Sequence, residues 1–136
     1  MDDRTQIERT LREAYAARQR GDVDKVLDLF APDARFVMAG TASITPMAMR
    51  VEGATQLRSA LEGMVKTFIL LDLDIVNILV DGDRAAVHWR ARIKSSVTGE
   101  TLETELCDLI EVKGGRIASF LEFCDTAAGA RLMGRA

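Results

Sequence analysis

A chain of 136 residues, 48% hydrophobic and 29% charged, is long enough for one domain, residues 1–136, built around a single core. Its formal net charge of −3 argues against a nucleic-acid partner, which would need a basic surface. No apolar run reaches the roughly 18 residues of a membrane span, and the polar, acidic N-terminus is unlike a signal peptide, so we expect a cytoplasmic protein with no membrane partner.

Two helices are predicted at the start of the chain. Apolar side chains recur every three or four residues over residues 5–20, which predicts a first helix with Tyr15 on its buried stripe. Gly21 fits the C-terminal cap of that helix, and Asp22 fits the N-terminal cap of a second one. A tyrosine on such a stripe is either a core residue or a residue whose hydroxyl faces a ligand.

The middle of the chain is predicted to contain two strands separated by a loop and a helix. Residues 34–38 form a short strand, residues 39–50 a loop, residues 52–64 a third helix and residues 67–80 one long strand. Methionines such as Met38 lie in or beside the loop. Their flexible thioethers suit the rim of a pocket, or else fill irregular gaps in the core.

Three further strands follow between residues 84 and 125, joined by two tight turns. A two-residue turn at Thr98 and Gly99 would place Trp89 opposite Asp108 on one apolar face. The same register would pair opposite charges on the other face: Arg92 with Glu105, and Lys94 with Glu103.

Asp108 is the chemically informative residue of this face, because a carboxylate is costly among apolar side chains. Burial beside an indole should raise its pKa above the reference of about 3.9. A carboxyl group that keeps its proton can donate a hydrogen bond or shuttle a proton. The alternative is a structural carboxylate that bonds to a backbone amide or lies in water at a pocket mouth.

The position of Glu122 depends on the turn at Gly114 and Gly115. A two-residue loop pairs Lys113 with Arg116 and places Glu122 on the face opposite to Asp108. A three-residue loop with a glycine bulge pairs Asp108 directly with Glu122, so that the like charges raise the pKa of one of the two further. Because both faces of this strand are apolar, the pattern leaves the two alternatives open.

The order of the predicted elements is αα-β-α-ββββ, followed by a short helix over residues 126–133. Strands grouped apart from helices favour an α+β fold with antiparallel neighbours over a doubly wound sheet. The chain has no phosphate-loop, zinc-protease or serine-hydrolase motif, and Cys107 and Cys124 lack the spacing of a redox pair or a metal site. We expect reduced thiols, no metal and no cofactor.

Three stretches carry a family resemblance that extends over nearly the whole chain: residues 15–34 (YAARQRGDVDKVLDLFAPDA), residues 51–53 (VEG) and residues 107–125 (CDLIEVKGGRIASFLEFCD). They resemble the nuclear-transport-factor-2-like superfamily, which includes ketosteroid isomerases, limonene-epoxide hydrolases and SnoaL-type polyketide cyclases. The resemblance implies a cone, in which a curved antiparallel sheet wraps around three N-terminal helices and a deep pocket opens at the wide end. It favours the register that turns Asp108 and Glu122 into that pocket.

The resemblance also implies roles for individual residues. Asp108 falls where ketosteroid isomerases keep the acid of their oxyanion hole, and Glu122 falls where limonene-epoxide hydrolases keep the aspartate that activates water. The other catalytic positions of those enzymes hold residues that cannot do the same work: Met38 for the isomerase base, and Trp89 and Ala91 for the hydrolase arginine and its partner aspartate.

We therefore expect a pocket for a small, largely apolar organic molecule. Glu122 would be the general base or water activator, and Asp108 the acid or hydrogen-bond donor. The expected reaction is an isomerisation, cyclisation or hydrolysis without a cofactor; the alternatives are a non-catalytic ligand-binding module and an interaction domain. The side chains expected to bind the ligand are Tyr15, Met38, Trp89, Leu106 and Phe120.

The outward face of the predicted sheet mixes apolar and charged side chains: Arg90, Arg92, Leu109, Leu121 and Phe123. A face that is only solvated would be more uniformly polar. We expect a homodimer through this face, which also carries His88, the single histidine of the chain.

Overall fold

The computed structural model of the protein describes residues 3–135. The first half of the chain contains α1 Arg4–Arg20, α2 Val23–Asp28, β1 Phe30–Met38, β2 Met49–Glu52 and α3 Ala54–Thr67. The second half contains β3 Phe68–Asp81, β4 Arg84–Ser95, β5 Thr101–Lys113, β6 Arg116–Phe123 and α4 Thr126–Leu132. The predicted order of elements is present with one addition, β2, which lies partly in the predicted loop and is too short for an alternating pattern to reveal it.

The six strands form one curved sheet in the order β2-β1-β6-β5-β4-β3. Neighbours are antiparallel except for β1 and β6, which run parallel. A parallel pair needs a long crossover, and the chain from β2 to β5 provides one. The expected α+β cone is confirmed, with a mixed sheet in place of a wholly antiparallel one.

Local sequence explains where the first helices begin and end. Asp3 and Gln6 form a capping box at the start of α1, and Gly21 ends the helix with a left-handed φ of 73° that glycine adopts without strain. The Asp22 side chain accepts from the Lys25 amide, as expected for the cap of α2. The buried stripe of α1 then faces β3 and the core.

The β4–β5 register differs by two residues from the predicted one. Trp89 lies opposite Leu106, and Val87 lies opposite Asp108. The connection is longer than two residues, because the Ser95 hydroxyl accepts from the amides at positions 97 and 98 and stabilises a wider turn. A shift of two keeps every side chain on its predicted face, so Asp108 still points to the concave side.

The β5–β6 hairpin combines features of both predicted alternatives. Lys113 pairs with Arg116 across the two glycines, as in a two-residue loop. One extra residue, Ala118, then interrupts the β6 register as a bulge. Beyond the bulge, Asp108 pairs with Glu122, so the two carboxyl groups share the concave face.

Two more bulges lie in β3, where Leu71 and Val76 have no register partner on β4. Bulges bend a strand and increase its twist, which accounts for the curvature of this long edge strand. No helix within residues 3–135 is both long and apolar enough to cross a membrane.

Candidate functional site

A cavity of about 420 Å³ lies between the concave face of the sheet and the helices. Ligand pockets typically have volumes of about 300–1,000 Å³, so this one suits a small molecule. Six of the residues predicted for the site line the cavity: Tyr15, Met38, Trp89, Leu106, Phe120 and Glu122. The seventh, Asp108, lies behind this lining and is fully buried.

Asp108 is held by two side chains of the cavity wall. The Tyr15 hydroxyl and the Trp89 indole N–H both donate to its Oδ2, the indole at 2.8 Å. The two rings contact each other edge to face, with centroids 5.4 Å apart. Asp108 therefore fixes the orientation of two residues that face the cavity, while its own oxygens have no access to it.

The pKa of Asp108 is raised well above its ordinary value, first by burial and then by the negative charge of Glu122. Its Oδ1 is buried and has no hydrogen-bond partner among the described residues. Glu122 is the register partner of Asp108 across the sheet, and the raised pKa favours the neutral form of Asp108.

Two carboxylates line the cavity, Glu122 and Asp125. Asp125 is exposed and caps α4, whereas Glu122 is buried, with 9% of its surface exposed. Burial raises its pKa, whereas the hydrogen bond from Asp108 and the positive charge of Arg18 both lower it. These opposing effects leave the pKa of Glu122 above its ordinary value. A partly shielded carboxylate with a raised pKa is suited to take a proton at neutral pH.

Arg18 is a functional candidate to which sequence reasoning gave no role. It lines the same cavity, and its Nη2 donates to the carbonyl oxygens of Phe68 at 2.9 Å and Met64 at 3.4 Å. Burial lowers its pKa, and the charge of Glu122 partly offsets that effect. The available signal was a cation three residues after Tyr15 on an otherwise apolar helical stripe, where an arginine needs a partner.

The cavity is covered on one side by the β1–β2 loop and α4. Met47 from the loop packs so closely on Gly129 of α4 that a Cβ at Gly129 would lie 2.6 Å from the Met47 sulfur. Phe120 forms the opposite wall, stacked against Phe36 with ring centroids 5.5 Å apart. Apart from Glu122 and Arg18, few polar groups interrupt this largely apolar lining.

Other candidate groups lie outside this chemistry. His88 is on the outward face as predicted, with its Nε2 2.7 Å from Glu105. Burial raises the pKa of the Cys124 thiol to about 11, so this cavity residue is a thiol rather than a nucleophilic thiolate at neutral pH. Within residues 3–135, no cluster of three or more His, Cys, Asp or Glu side chains could hold a metal ion.

The sequence matches the SnoaL-like domain family over residues 11–120. The chain belongs to that family. This SnoaL-like domain is 28% identical over 119 residues to an uncharacterized protein of Mycobacterium tuberculosis, a match that covers 87% of this chain and 88% of the relative. The family assignment confirms the resemblance found in the sequence.

Solved structures support the same fold for this SnoaL-like domain. An NTF2-like protein of unknown function from Burkholderia pseudomallei superposes with a TM-score of 0.82 at 23% identity, covering 94% of this chain and 97% of that one. An LEH-like epoxide hydrolase from M. tuberculosis superposes with a TM-score of 0.75 at 19% identity, covering 95% and 90%. At these identities the similarity establishes the fold alone.

Proposed function

We propose that this SnoaL-like domain is a cofactor-independent enzyme in which Glu122 acts as general base on a small, largely apolar organic molecule. The observation that carries the proposal is a buried carboxylate with a raised pKa in the wall of a largely apolar cavity. A positioned general base typically accelerates a reaction by 10²–10⁴-fold. Isomerisation, cyclisation and hydrolysis all share this step, since each begins when a base takes a proton from the substrate or from water.

Asp108 supports this base as a positioning residue. In this proposal Asp108 is a neutral acid that donates a hydrogen bond to Glu122, its register partner. It also accepts from Tyr15 and Trp89 and so holds both in the cavity wall. A carboxylate that accepts a hydrogen bond from one side keeps its other lone pairs directed to the substrate. The ligand contacts expected from Tyr15, Met38, Trp89, Leu106 and Phe120 belong to the same proposal, because all five line the cavity.

The test compares Glu122→Gln with the wild-type protein on a panel of small apolar ketones and epoxides. Exchange of carbon-bound hydrogen in D₂O detects proton abstraction from ketones, and ¹⁸O incorporation from labelled water detects hydrolysis of epoxides. We expect one of these activities in the wild type and a loss of roughly 10²-fold or more in the variant. Glu103→Gln, an exposed glutamate of β5, is the matched control and should keep full activity.

Two outcomes would overturn the proposal. Activity retained by Glu122→Gln would exclude this carboxylate as the base. Binding of panel compounds without any turnover would instead favour the ligand-binding module as the function of the cavity.

We also propose that the protein is a cytoplasmic homodimer that associates through the convex face of the sheet. Leu109 and Phe123 are 46% and 45% exposed at the centre of that face. Leu109 belongs to a row of apolar register partners that crosses four strands: Leu79, Ala86, Leu109 and Leu121. The free thiols Cys107 and Cys124 are consistent with a reducing compartment.

A further inference from the structure

Arg18 and Glu122 place opposite charges in the wall of one apolar cavity. Arg18 is the only lysine or arginine among the described residues that line it. Only its Nη2 bonds to the protein, at Met64 and Phe68. Within residues 3–135, Nε and Nη1 have no hydrogen-bond acceptor, although a guanidinium offers five N–H donors. Arg18 is half-buried, and these two nitrogens are not among the fully buried atoms without a partner. They are therefore accessible and can donate to an acceptor atom of a ligand.

We propose that Arg18 receives the carbonyl oxygen of the substrate as that oxygen becomes negative, so that the substrate is a small apolar carbonyl compound with an acidic C–H bond. This inference rests on the proposed function of Glu122 as base and adds the group that stabilises the resulting enolate. It makes Arg18 a catalytic residue and restricts the substrate to molecules that can form an enolate.

The proposed step conserves atoms and charge. The C–H bond next to the carbonyl group breaks, and its proton moves to the Glu122 carboxylate. The electron pair of that bond forms the carbon–carbon double bond of the enolate, and the carbonyl π electrons move to oxygen. Return of the proton from Glu122 to the same carbon gives exchange, and its return to a conjugated carbon gives an isomer.

The counter-charge of Arg18 explains why this step is favourable in a largely apolar cavity. Before the transfer, Arg18 balances ionised Glu122; afterwards, Glu122 is neutral and Arg18 balances the enolate. The summed charge of Arg18, Glu122 and the substrate therefore stays zero while the negative charge moves from one oxygen to another. A donor that is already oriented toward developing charge does not have to be reorganised during the reaction.

The groups that face Glu122 come from three elements. They are Asp108 on β5, Arg18 and Tyr15 on α1, and Cys124, which follows β6. Burial raises the pKa of Asp108, Tyr15 and Cys124, which favours the neutral form of each. Arg18 is thus the only group in this set that can exchange its ionic partner during the reaction.

The experiment uses dimedone, a cyclic diketone that is an enolate at neutral pH, as a stable mimic of the intermediate. Its neutral counterpart is a dimethylcyclohexanone of the same ring size. Calorimetry on the full-length protein should show that dimedone binds more tightly than the ketone, with uptake of about one proton, because Glu122 must be neutral in the complex. In Glu122→Gln, the same enolate should bind without proton uptake.

Arg18→Gln tests the role of the arginine, because an amide can still donate to the carbonyl oxygens of Met64 and Phe68. We expect it to weaken dimedone binding by about 10–100-fold, the usual value of a charge-assisted hydrogen bond, with a much smaller effect on the neutral ketone. Arg18→Lys should restore part of the difference. Arg12→Gln, an exposed arginine of the same helix, is the control.

The outcomes separate this inference from the proposed function. Two results would show that Arg18 only joins α1 to Met64 and Phe68. One is a wild type that does not prefer dimedone to the ketone; the other is dimedone affinity in both Arg18→Gln and Arg18→Lys equal to that of Arg12→Gln. If Glu122→Gln also loses turnover in that case, the base assignment stands and only the enolate contact is wrong. If Glu122→Gln keeps turnover, both proposals are wrong. Thermal unfolding of each variant separates a lost contact from a lost fold.

Discussion

Asp108 and Glu122 are register partners across β5 and β6, although the hairpin between them closes with a two-residue glycine turn. The bulge at Ala118 adds the one residue that returns Glu122 to the concave face. Two carboxyl groups in such a place cannot both be ionised without a large cost. Burial and the charge of Glu122 raise the pKa of Asp108, which favours its neutral form, while the positive charge of Arg18 favours the ionised form of Glu122.

Replacing Asp108 with asparagine should flatten the pH dependence of stability. The folded pKa of Asp108 is raised, so between the unfolded value of about 3.9 and the folded value the native state keeps a proton that the unfolded chain has lost. The free energy of unfolding therefore falls as pH rises through that window. Asparagine does not titrate, yet it can accept from Tyr15 and Trp89 and donate to Glu122.

Urea unfolding at several pH values from about 4 to 8 measures this effect. The Asp108→Asn protein should lose less stability across the range than the wild type. Asp74→Asn removes an exposed carboxylate and serves as the control for the change in net charge. An unchanged slope in Asp108→Asn would mean that Asp108 is ionised in the folded protein.

Tyr15 and Trp89 should show energetic coupling because they donate to the same oxygen of Asp108. Tyr15→Phe and Trp89→Phe should each cost about 0.5–1.5 kcal/mol of unfolding free energy. The double variant should cost more than the sum, by about 0.5–3 kcal/mol, because only then does the buried Oδ2 lose both donors. Circular dichroism in urea measures all three variants.

The control for this cycle combines Tyr15→Phe with Phe36→Leu. Phe36 packs on Phe120 and is not a hydrogen-bond partner of Asp108, so these two changes should add. Strict additivity of the Tyr15 and Trp89 changes would contradict a shared acceptor.

The sequence predicted those parts of the site that depend on interactions between residues close together in the chain. Caps, turns and strand alternation depend on neighbouring residues, so Asp22, the concave face and Asp108 on it were predictable. The β4–β5 register was wrong by two residues because the Ser95 hydroxyl stabilises a wider turn than the Thr-Gly pair suggests. Each side chain nevertheless lies on its predicted face of the sheet, because strand side chains alternate with a period of two and the error was two residues.

The non-local parts of the site were not available from the sequence. Ala118 looks like any strand residue, and only the packing of Phe120 and Glu122 on the concave side selects a bulge there. Arg18 bonds to the carbonyl oxygen of Phe68, 50 positions away, and its charge acts on Glu122, 104 positions away. A cation on an apolar stripe indicates that a partner is needed, but the helix sequence does not identify which residues supply it.

The contact between Met47 and Gly129 should reverse the effect of a helix-stabilising substitution. Gly→Ala inside a helix usually adds about 0.5–1 kcal/mol, but at Gly129 the new methyl group would overlap Met47. Gly129→Ala should therefore add less stability than this, or reduce it, in the wild type. In a Met47→Ala background it should add the full amount.

Gly63 in α3 offers a matched control, because a Cβ there would meet no atom within 4 Å. Gly63→Ala should have the same effect with and without Met47. Equal effects of Gly129→Ala in the two backgrounds, measured by thermal unfolding, would show that Met47 does not rest on α4.

Charge on the convex face should prevent the proposed dimer. Leu109→Glu and Phe123→Glu each place a carboxylate at an exposed apolar position of the convex face, where a partner surface would have to desolvate it. Light scattering after size-exclusion chromatography should give a dimer for the wild type and a monomer for these variants. Val97→Glu, exposed on the β4–β5 turn, should remain dimeric; a monomeric wild type would refute the proposal.

The pH profile of turnover should report the pairing of Arg18 with Glu122. A general base must be ionised, so kcat/KM should rise with pH around a midpoint above the ordinary glutamate value of about 4.3, because burial raises the pKa of Glu122. The charge of Arg18 lowers that pKa. Arg18→Gln should therefore move the midpoint to higher pH, in addition to reducing the plateau rate.

Arg18→Lys and Arg12→Gln complete the series. A lysine keeps the charge near Glu122 and should return the midpoint toward the wild-type position, even where its different geometry leaves the plateau low. Arg12→Gln removes one positive charge from the same helix but from an exposed site, where solvent screens it. A midpoint that shifts equally in Arg12→Gln and Arg18→Gln would reflect net charge alone, since a specific partner of the base has to act more strongly than a distant one.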